Sequence, residues 1–186
     1  MHLFELKELL CEGDLRSDGL SDDVVKIILE NPGYFGELVD CLYETNDKIR
    51  AHASDALEKI LRLNTELINP YLNDILSQAQ QEQLSIVKMH FAMIFGYLWN
   101  VLNYLDEIIK ILFSYLADTN AFVVSWTISS LTIIACNVPE KKTGVIKRLK
   151  IYPFSSSKAV QTRLQKALFV LEKNGRVPKS WIKKTI

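Results

Sequence analysis

Apolar side chains recur along most of the chain at the spacing of amphipathic helices. The first two stripes comprise apolar residues at positions 34, 35, 38, 39 and 42, and then at 49, 53, 56, 57 and 60. This i, i+4 spacing is typical of one face of an α-helix. Short polar turns separate the stripes and supply N-cap side chains for the helix that follows. The pattern therefore predicts pairs of α-helices and an all-α fold.

The helix pair repeats every 37 residues, without a gap, in four copies from 33 to 174. Four columns of equivalent positions carry the repeat: Ile49, Ile86, Val123, Val160; Leu57, Ile94, Leu131, Leu168; Leu38, Ile75, Leu112, Leu149; and the mostly small Ala56, Met93, Ser130, Ala167. The predicted helices span about 33–44, 47–63, 70–80, 83–102, 105–117, 120–136, 141–151 and 157–173. A repeat of this length is typical of solenoids, in which each pair packs on its neighbours.

The two ends of the chain depart from the repeat. Residues 1–31 are predicted to form an N-terminal cap of two helices, about 2–12 and 21–30, because terminal repeats must diverge to stay soluble. The sequence Asn31-Pro32-Gly33 ends the second of these helices. Residues 175–186 form a basic C-terminal tail. The whole chain, 1–186, is predicted to be one repeat domain.

The second helix of the first copy, DKIRAHASDALEKI at 47–60, resembles that of a HEAT repeat. The matching positions are Asp47, Ile49, Arg50, Ala53, Ala56, Leu57 and Ile60. The Asp and Arg occur only in the first copy, and 37 residues is shorter than the roughly 40–47 usual for HEAT and armadillo repeats. The resemblance covers about 33–174 and implies an α-α superhelix, a short solenoid of about four hairpins plus a cap. It also implies a binding scaffold without chemistry.

In such a solenoid the second helix of each pair lines the concave side, whose middle is predicted to be apolar. Phe91, Phe95 and Trp99 of the second copy and Ile128 of the third form the predicted row. An exposed row of this kind marks a site for a protein or peptide partner. Two alternatives stay open: the segment 176–182 covers the row with Trp181, or two copies dimerise through it. The first predicted function is thus a non-enzymatic protein-interaction scaffold.

Charge is divided unevenly along a chain whose net charge is zero. Residues 1–140 hold nine basic and 21 acidic side chains, whereas residues 141–186 hold 13 basic side chains and one acid, Glu172. A cationic surface attracts phosphate groups. The alternative function is therefore nucleic-acid binding by a basic patch made of Lys158, Lys166, Lys173, Arg176, Lys179, Lys183 and Lys184.

The cysteines and the hydropathy pattern bear on location. Cys11, Cys41 and Cys136 form no CxxC pair and are predicted to be free thiols, buried as small hydrophobes in a reducing compartment. The first ten residues form an acidic amphipathic pattern instead of a secretory signal. Residues 119–139 contain no charged side chain, but their many hydroxyls and their repeat register argue against a membrane span. A cytoplasmic protein is predicted.

No phosphate-loop, zinc-protease or serine-hydrolase motif is present, so no catalytic residue, metal site or cofactor is predicted. His52 and His90 fall on successive second helices but have no third ligand nearby in the pattern. Histidines in that situation are expected to be packed or surface residues.

The strongest enzyme hypothesis is a resemblance to alkylpurine DNA glycosylases built from HEAT-like repeats. Those enzymes use tryptophan, arginine and an acid on the concave face, and Trp99, Trp126 and Arg163 are similar in type. The residues four beyond the two tryptophans are Asn103 and Ser130, so the carboxylate that would stabilise a cationic sugar is missing there. The sequence therefore favours binding over catalysis.

Overall fold

The computed structural model describes residues 3–15, 19–153 and 157–182. These residues contain no β-strand. Their α-helices are α1 (Leu3–Cys11), α2 (Ser21–Glu30), α3 (Phe35–Asp40), α4 (Asp47–Leu63), α5 (Leu72–Gln81), α6 (Ser85–Tyr97), α7 (Leu105–Tyr115), α8 (Ala121–Asn137), α9 (Pro139–Lys150) and α10 (Lys158–Glu172). The predicted all-α content and the predicted order of helices are confirmed.

Local sequence explains where the helices begin and end. Side-chain oxygens of Asn46, Asn120 and Ser157 accept hydrogen bonds from backbone N–H groups at the starts of α4, α8 and α10, which satisfies donors that the helix leaves free. Helix α3 starts two residues later than predicted, because a 3₁₀ turn at Pro32–Tyr34 precedes it, whereas α7 starts at the predicted residue, Leu105, after a 3₁₀ turn at Leu102–Tyr104. Helix α6 ends at Tyr97, five residues before its predicted end.

The described residues divide into two compact units, 1–91 and 92–184, with the boundary inside α6. In the first unit α4 packs against α1, α2 and α3. His52 on α4 ties down the first helix, since its Nδ1 lies 2.8 Å from the carbonyl oxygen of Leu10 and its Nε2 lies 3.0 Å from that of Asp14. His52 was expected to be either packed or at the surface, and the structure shows it packed, since the residue is 2% exposed.

The second unit is built around α8, which packs against α7, α9 and α10. Helix α8 is apolar around its whole circumference, and of the residues from Val123 to Ala135 only Trp126 is not buried. A helix of this composition is stable when every side is covered. Within the described ranges, none of the helices combines the length and the apolar character that crossing a membrane needs.

The small column of the repeat lies in the core. Ala56, Met93, Ser130 and Ala167 are each no more than 1% exposed. In the second unit the hydroxyl of Ser130 donates a hydrogen bond of 2.6 Å to the carbonyl oxygen of Ala92. This bond satisfies a buried hydroxyl and fixes α8 against α6 at close range.

Gly96 on α6 is required by this close approach. A Cβ at Gly96 would lie 2.7 Å from Ser130 Oγ and 3.3 Å from Ser130 Cα. We expect Gly96→Ala to destabilise the protein by about 1–3 kcal/mol through overpacking, despite the higher helix propensity of alanine. Urea unfolding measures the change. Gly144→Ala on α9 is the matched control, because nothing lies within 4 Å of its Cβ; equal stability of the two variants would contradict the close approach.

The three cysteines differ in exposure. Cys41 is fully buried, and burial raises the pKa of its thiol to about 12. Cys11 is half-buried, whereas Cys136 is exposed. The expectation of three buried cysteines is wrong for Cys136, because this residue lies in the last turn of α8, where the packing of that helix ends.

Candidate nucleic-acid interface

The apolar row predicted to bind a partner is mostly inside the protein. Phe91, Phe95 and Ile128 are fully buried, and Trp99 is 39% exposed. The prediction of an exposed row is therefore wrong for three of its four members. The physical reason is that Ile128 lies on a helix that is covered on all sides, and that Phe91 and Phe95 lie in the stretch of α6 from His90 to Gly96 whose residues are all buried. Trp99 escapes burial because α6 ends two residues before it.

The C-terminal segment turns back after α10. Asn174 adopts a left-handed backbone with φ of 51°, and the N–H of Gly175 donates a 2.9 Å hydrogen bond to the carbonyl oxygen of Val170. This is a common way to end a helix and reverse the chain. The segment ends in a 3₁₀ turn whose Trp181 is 3% exposed and which contacts α8. The segment therefore folds back and buries Trp181 against α8 and Arg163, whereas the expected cover of Phe91, Phe95 and Trp99 by Trp181 stays a prediction.

Arg163 of α10 lies between two tryptophan rings. Its guanidinium carbon is 5.4 Å from the centroid of Trp126 on α8 and 5.1 Å from that of Trp181. Its Nη1 donates a 2.5 Å hydrogen bond to Ser129 Oγ. Two cation–π contacts and a hydroxyl therefore hold this cation in a fixed position.

The charge of Arg163 has no carboxylate beside it. The residue is half-buried, and burial lowers the pKa of its guanidinium below the usual value. Among the described residues it makes no ion pair, so the rings and the hydroxyl alone compensate the loss of water. A partly desolvated cation of this kind attracts an anion from solution, because the low local dielectric strengthens the interaction.

Other cations lie on the same helix as Arg163 and on the segment after it. The five described members of the basic patch are all exposed, and none makes an ion pair within the described part of the chain: Lys158, Lys166, Lys173, Arg176 and Lys179. Lys183 and Lys184 lie outside the described residues. By contrast, Lys141 and Lys150 pair with Asp106 and Glu172. Among the described residues, cations without an ion pair thus include the patch members on α10 and the segment after it, and also Lys142, Lys147 and Arg148 of α9.

The charge of each unit follows the same division. Residues 1–91 hold eight basic and 17 acidic side chains, and residues 92–184 hold 14 basic and five acidic ones. A phosphate group therefore meets an attractive field at the second unit and a repulsive one at the first.

A pocket of about 340 Å³ opens beside the basic residues. Its walls include Lys166, Phe169 and Val170 of α10 and Arg176 and Pro178 of the returning segment. The Phe169 side chain is 64% exposed although it lines the pocket. The pocket is thus largely apolar, and its lining residues include one exposed aromatic ring and two exposed cationic side chains.

The contact of Arg163 with the two tryptophan rings was not predicted from the sequence, although the repeat register did indicate the Trp126 part of it. Arg163 follows Trp126 by 37 residues, so the repeat register places the two in one column of adjacent copies. Trp181 lies outside the repeats and was expected to cover the apolar row. The repeat pattern therefore gave no reason to place it next to Arg163. Among the described residues, no carboxylate forms an ion pair with Arg163.

A second polar cluster lies inside the first unit and contains a serine, a histidine and an aspartate. Ser54 Oγ lies 2.8 Å from His90 Nδ1, and His90 Nε2 lies 3.7 Å from Asp55 Oδ1. The Ser54 hydroxyl is fully buried and donates to the carbonyl oxygen of Ala51. A nucleophile needs access to its substrate and a base that takes its proton. This cluster therefore serves to connect helices.

The same cluster is held together by a buried ion pair. Lys59 Nζ lies 2.6 Å from Asp55 Oδ2 and 2.5 Å from Asp22 Oδ1, and Ser21 donates to Asp55 Oδ2 at 2.6 Å. Burial opposes ionisation of Asp55, but the hydrogen bonds from Lys59 and Ser21 outweigh it and hold the pKa of Asp55 below its usual value. The contacts of Lys59 with Asp22 and of Asp55 with Ser21 join α4 to α2.

Comparison with solved structures identifies a chain of similar fold. A crystal structure described as that of an engineered protein, a target of the Northeast Structural Genomics Consortium, matches with a TM-score of 0.64 and 20% sequence identity. The match covers 93% of this chain and 80% of that chain. At this identity the likeness concerns the fold alone, and with the helix order it supports the class all-α, α-α superhelix. No protein-family model and no curated protein matches the chain.

Proposed function

We propose that this protein binds nucleic acid through the basic surface of its second unit and catalyses no reaction on it. The observation that carries the proposal is the half-buried Arg163 held between Trp126 and Trp181 without a carboxylate. Five exposed cations without ion pairs among the described residues lie on the same helix and on the segment that follows it. Phosphate oxygens are the anions that such a surface of arginine and lysine binds best.

The sequence first predicted a protein partner, but most of the residues assigned to that role are not accessible to one. Three of the four side chains assigned to that role are buried, and the same holds for a homodimer formed through them. The basic patch has kept its basis, since every described member is exposed. Charge therefore favours nucleic acid as the partner.

We also propose, from the repeat length and the motif at 47–60, that the helix pairs are HEAT-like. The free cysteines support a cytoplasmic location in the same proposal, since thiols persist in reducing compartments. A repeat scaffold of this kind presents a binding surface made of side chains from consecutive copies.

Charge reversal at two positions tests the proposed function. We expect Lys166→Glu/Lys173→Glu to weaken binding of a labelled duplex and of a labelled single strand, measured by fluorescence anisotropy at low salt. Each lost phosphate contact should reduce the slope of log affinity against log salt by roughly 0.9 on duplex DNA and 0.7 on single strands. The loss should not depend on base sequence, because phosphate contacts carry no sequence information.

The matched control makes the same charge change at exposed lysines elsewhere, Lys26→Glu/Lys110→Glu. We expect this control to keep most of the affinity and the salt slope of the unaltered protein. If both double variants lose affinity equally, the loss is explained by the change in net charge and not by the basic patch. Absence of binding to either nucleic acid by the unaltered protein at low salt would contradict the proposal outright.

A further inference from the structure

We infer that the pocket beside Phe169 holds an unpaired base, so that the nucleic acid bound by this protein is single-stranded. The inference rests on the proposed function and adds which class of nucleic acid is bound. The pocket volume of about 340 Å³ lies at the lower end of the range of ligand pockets, roughly 300–1,000 Å³. That volume suits one planar ring system.

The residues that line the pocket suit the two parts of a nucleotide, its base and its phosphate. Phe169 presents an exposed aromatic ring, and Val170 and Pro178 add apolar surface around it. Lys166 and Arg176 line the same pocket and carry the charge that a phosphate requires. Stacking of bases on aromatic side chains, combined with a cationic track for the backbone, is how proteins bind single strands without reading sequence.

The cations continue beyond the pocket along one face of α10. Lys158, Lys166 and Lys173 are separated by eight and then seven residues, and Phe169 lies between the last two. At 1.5 Å per residue the stripe is about 22 Å long. Arg176 and Lys179 extend it into the returning segment. The stripe is therefore long enough to follow several consecutive phosphates while one base enters the pocket.

A duplex cannot use the pocket in the same way. Its bases are stacked on one another, and presenting a ring to Phe169 requires removal of a base from the stack at a cost of a few kcal/mol. An acidic peptide could satisfy the cations but has no flat ring in each residue for the aromatic face. The combination of ring and cations therefore favours an unpaired strand over either.

Substitution of the ring separates single-stranded from duplex binding. We expect Phe169→Ala to weaken binding of a 12-nucleotide oligothymidine or oligoadenosine by roughly 5- to 150-fold. Binding of a duplex of the same length should change less than about twofold, because phosphate contacts alone remain for it. Phe169→Tyr keeps the aromatic face and should keep the single-strand affinity. Fluorescence anisotropy of labelled oligonucleotides measures all of these affinities.

Phe122→Ala is the matched control, since Phe122 is also exposed in the second unit and does not line this pocket. It should leave both affinities unchanged. Equal losses on single strand and duplex, or no loss on either, would overturn the inference, and so would polyglutamate competition that depends on Phe169. Duplex binding by the unaltered protein without single-strand preference would overturn the inference alone; no binding at all would remove the proposed function as well.

Discussion

Phe95→Ala should destabilise this protein by about 3–5 kcal/mol, while Trp99→Ala, four residues along, should cost about 1–2 kcal/mol. Phe95 is fully buried, so its truncation leaves a cavity in addition to the lost apolar burial. Trp99 is 39% exposed and lies outside α6, so the structure around it can adjust. Since domains are stable by only about 5–15 kcal/mol, the first change removes a large part of the total. Urea unfolding followed by circular dichroism measures both.

The matched control is Phe122→Ala, the same substitution at a side chain that is 70% exposed. We expect little change in its unfolding midpoint. If Phe95→Ala fails to fold, Phe95→Leu keeps most of the volume and should give a measurable loss of about 1–2 kcal/mol. A Phe95 variant as stable as the Phe122 variant would show that α6 is open to solvent on this side.

Lys59→Met should cost about 3–5 kcal/mol at neutral pH, because it leaves the Asp55 carboxylate buried without its cation. The ammonium of Lys59 bonds Asp55, Asp22 and Ser21, and its side chain is 13% exposed. Methionine preserves the apolar stem, so the loss reports the missing charge more than missing volume. Lys26→Met is the matched control: Lys26 pairs with Asp23 at 3.0 Å on the surface, and such pairs contribute roughly 0–1 kcal/mol.

The loss from Lys59→Met should shrink in acid. In the unaltered protein the pKa of Asp55 is lowered on folding, so its contribution to stability is present above the unfolded pKa of about 4 and is lost as the pH falls through the lower folded pKa. Without Lys59, only Ser21 and the nearby His90 offset the cost of burying the Asp55 carboxylate, so protonation of Asp55 in acid removes part of the destabilisation in the variant. Unfolding free energies at pH 7 and pH 4 test this: a loss that is the same at both would contradict the charged pair.

Much of the fold follows from short-range patterns in the sequence. Asn46, Asn120 and Ser157 mark helix starts because their side chains can accept hydrogen bonds from free N–H groups. The columns through Leu38 and Ala56 mark the faces that pair with neighbouring helices. Both signals depend only on local spacing, so the ten helices and their order could be predicted.

Exposure was harder to predict, because it depends on what covers a helix from outside its own pair. The sequence shows that Phe95 and Ile128 point away from the stripe that packs within the pair. It does not show which other elements cover them. The all-round apolar composition of α8 did indicate burial, and in the structure that signal outweighs the geometry of the pair.

The composition of the proposed binding surface could be predicted better than its arrangement. The basic patch could be predicted by counting charged residues along the sequence. Its described members are exposed because lysine and arginine are rarely buried. The stack of Arg163 with Trp126 and Trp181 needs the reversal at Asn174, where the chain takes a left-handed backbone. No hydrophobic periodicity extends through that turn, so the position of Trp181 could not be derived from the repeat.

The opposite charges of the two units have a consequence for handling the protein. Its isoelectric point of about 6.8 and zero net charge suggest weak retention on any ion exchanger near neutral pH. Retention depends on local charge, however, and one surface with excess cations and another with excess carboxylates are both available. The protein should bind anion and cation exchange resins alike at low ionic strength, and added salt, more than a change of pH, should elute it from either.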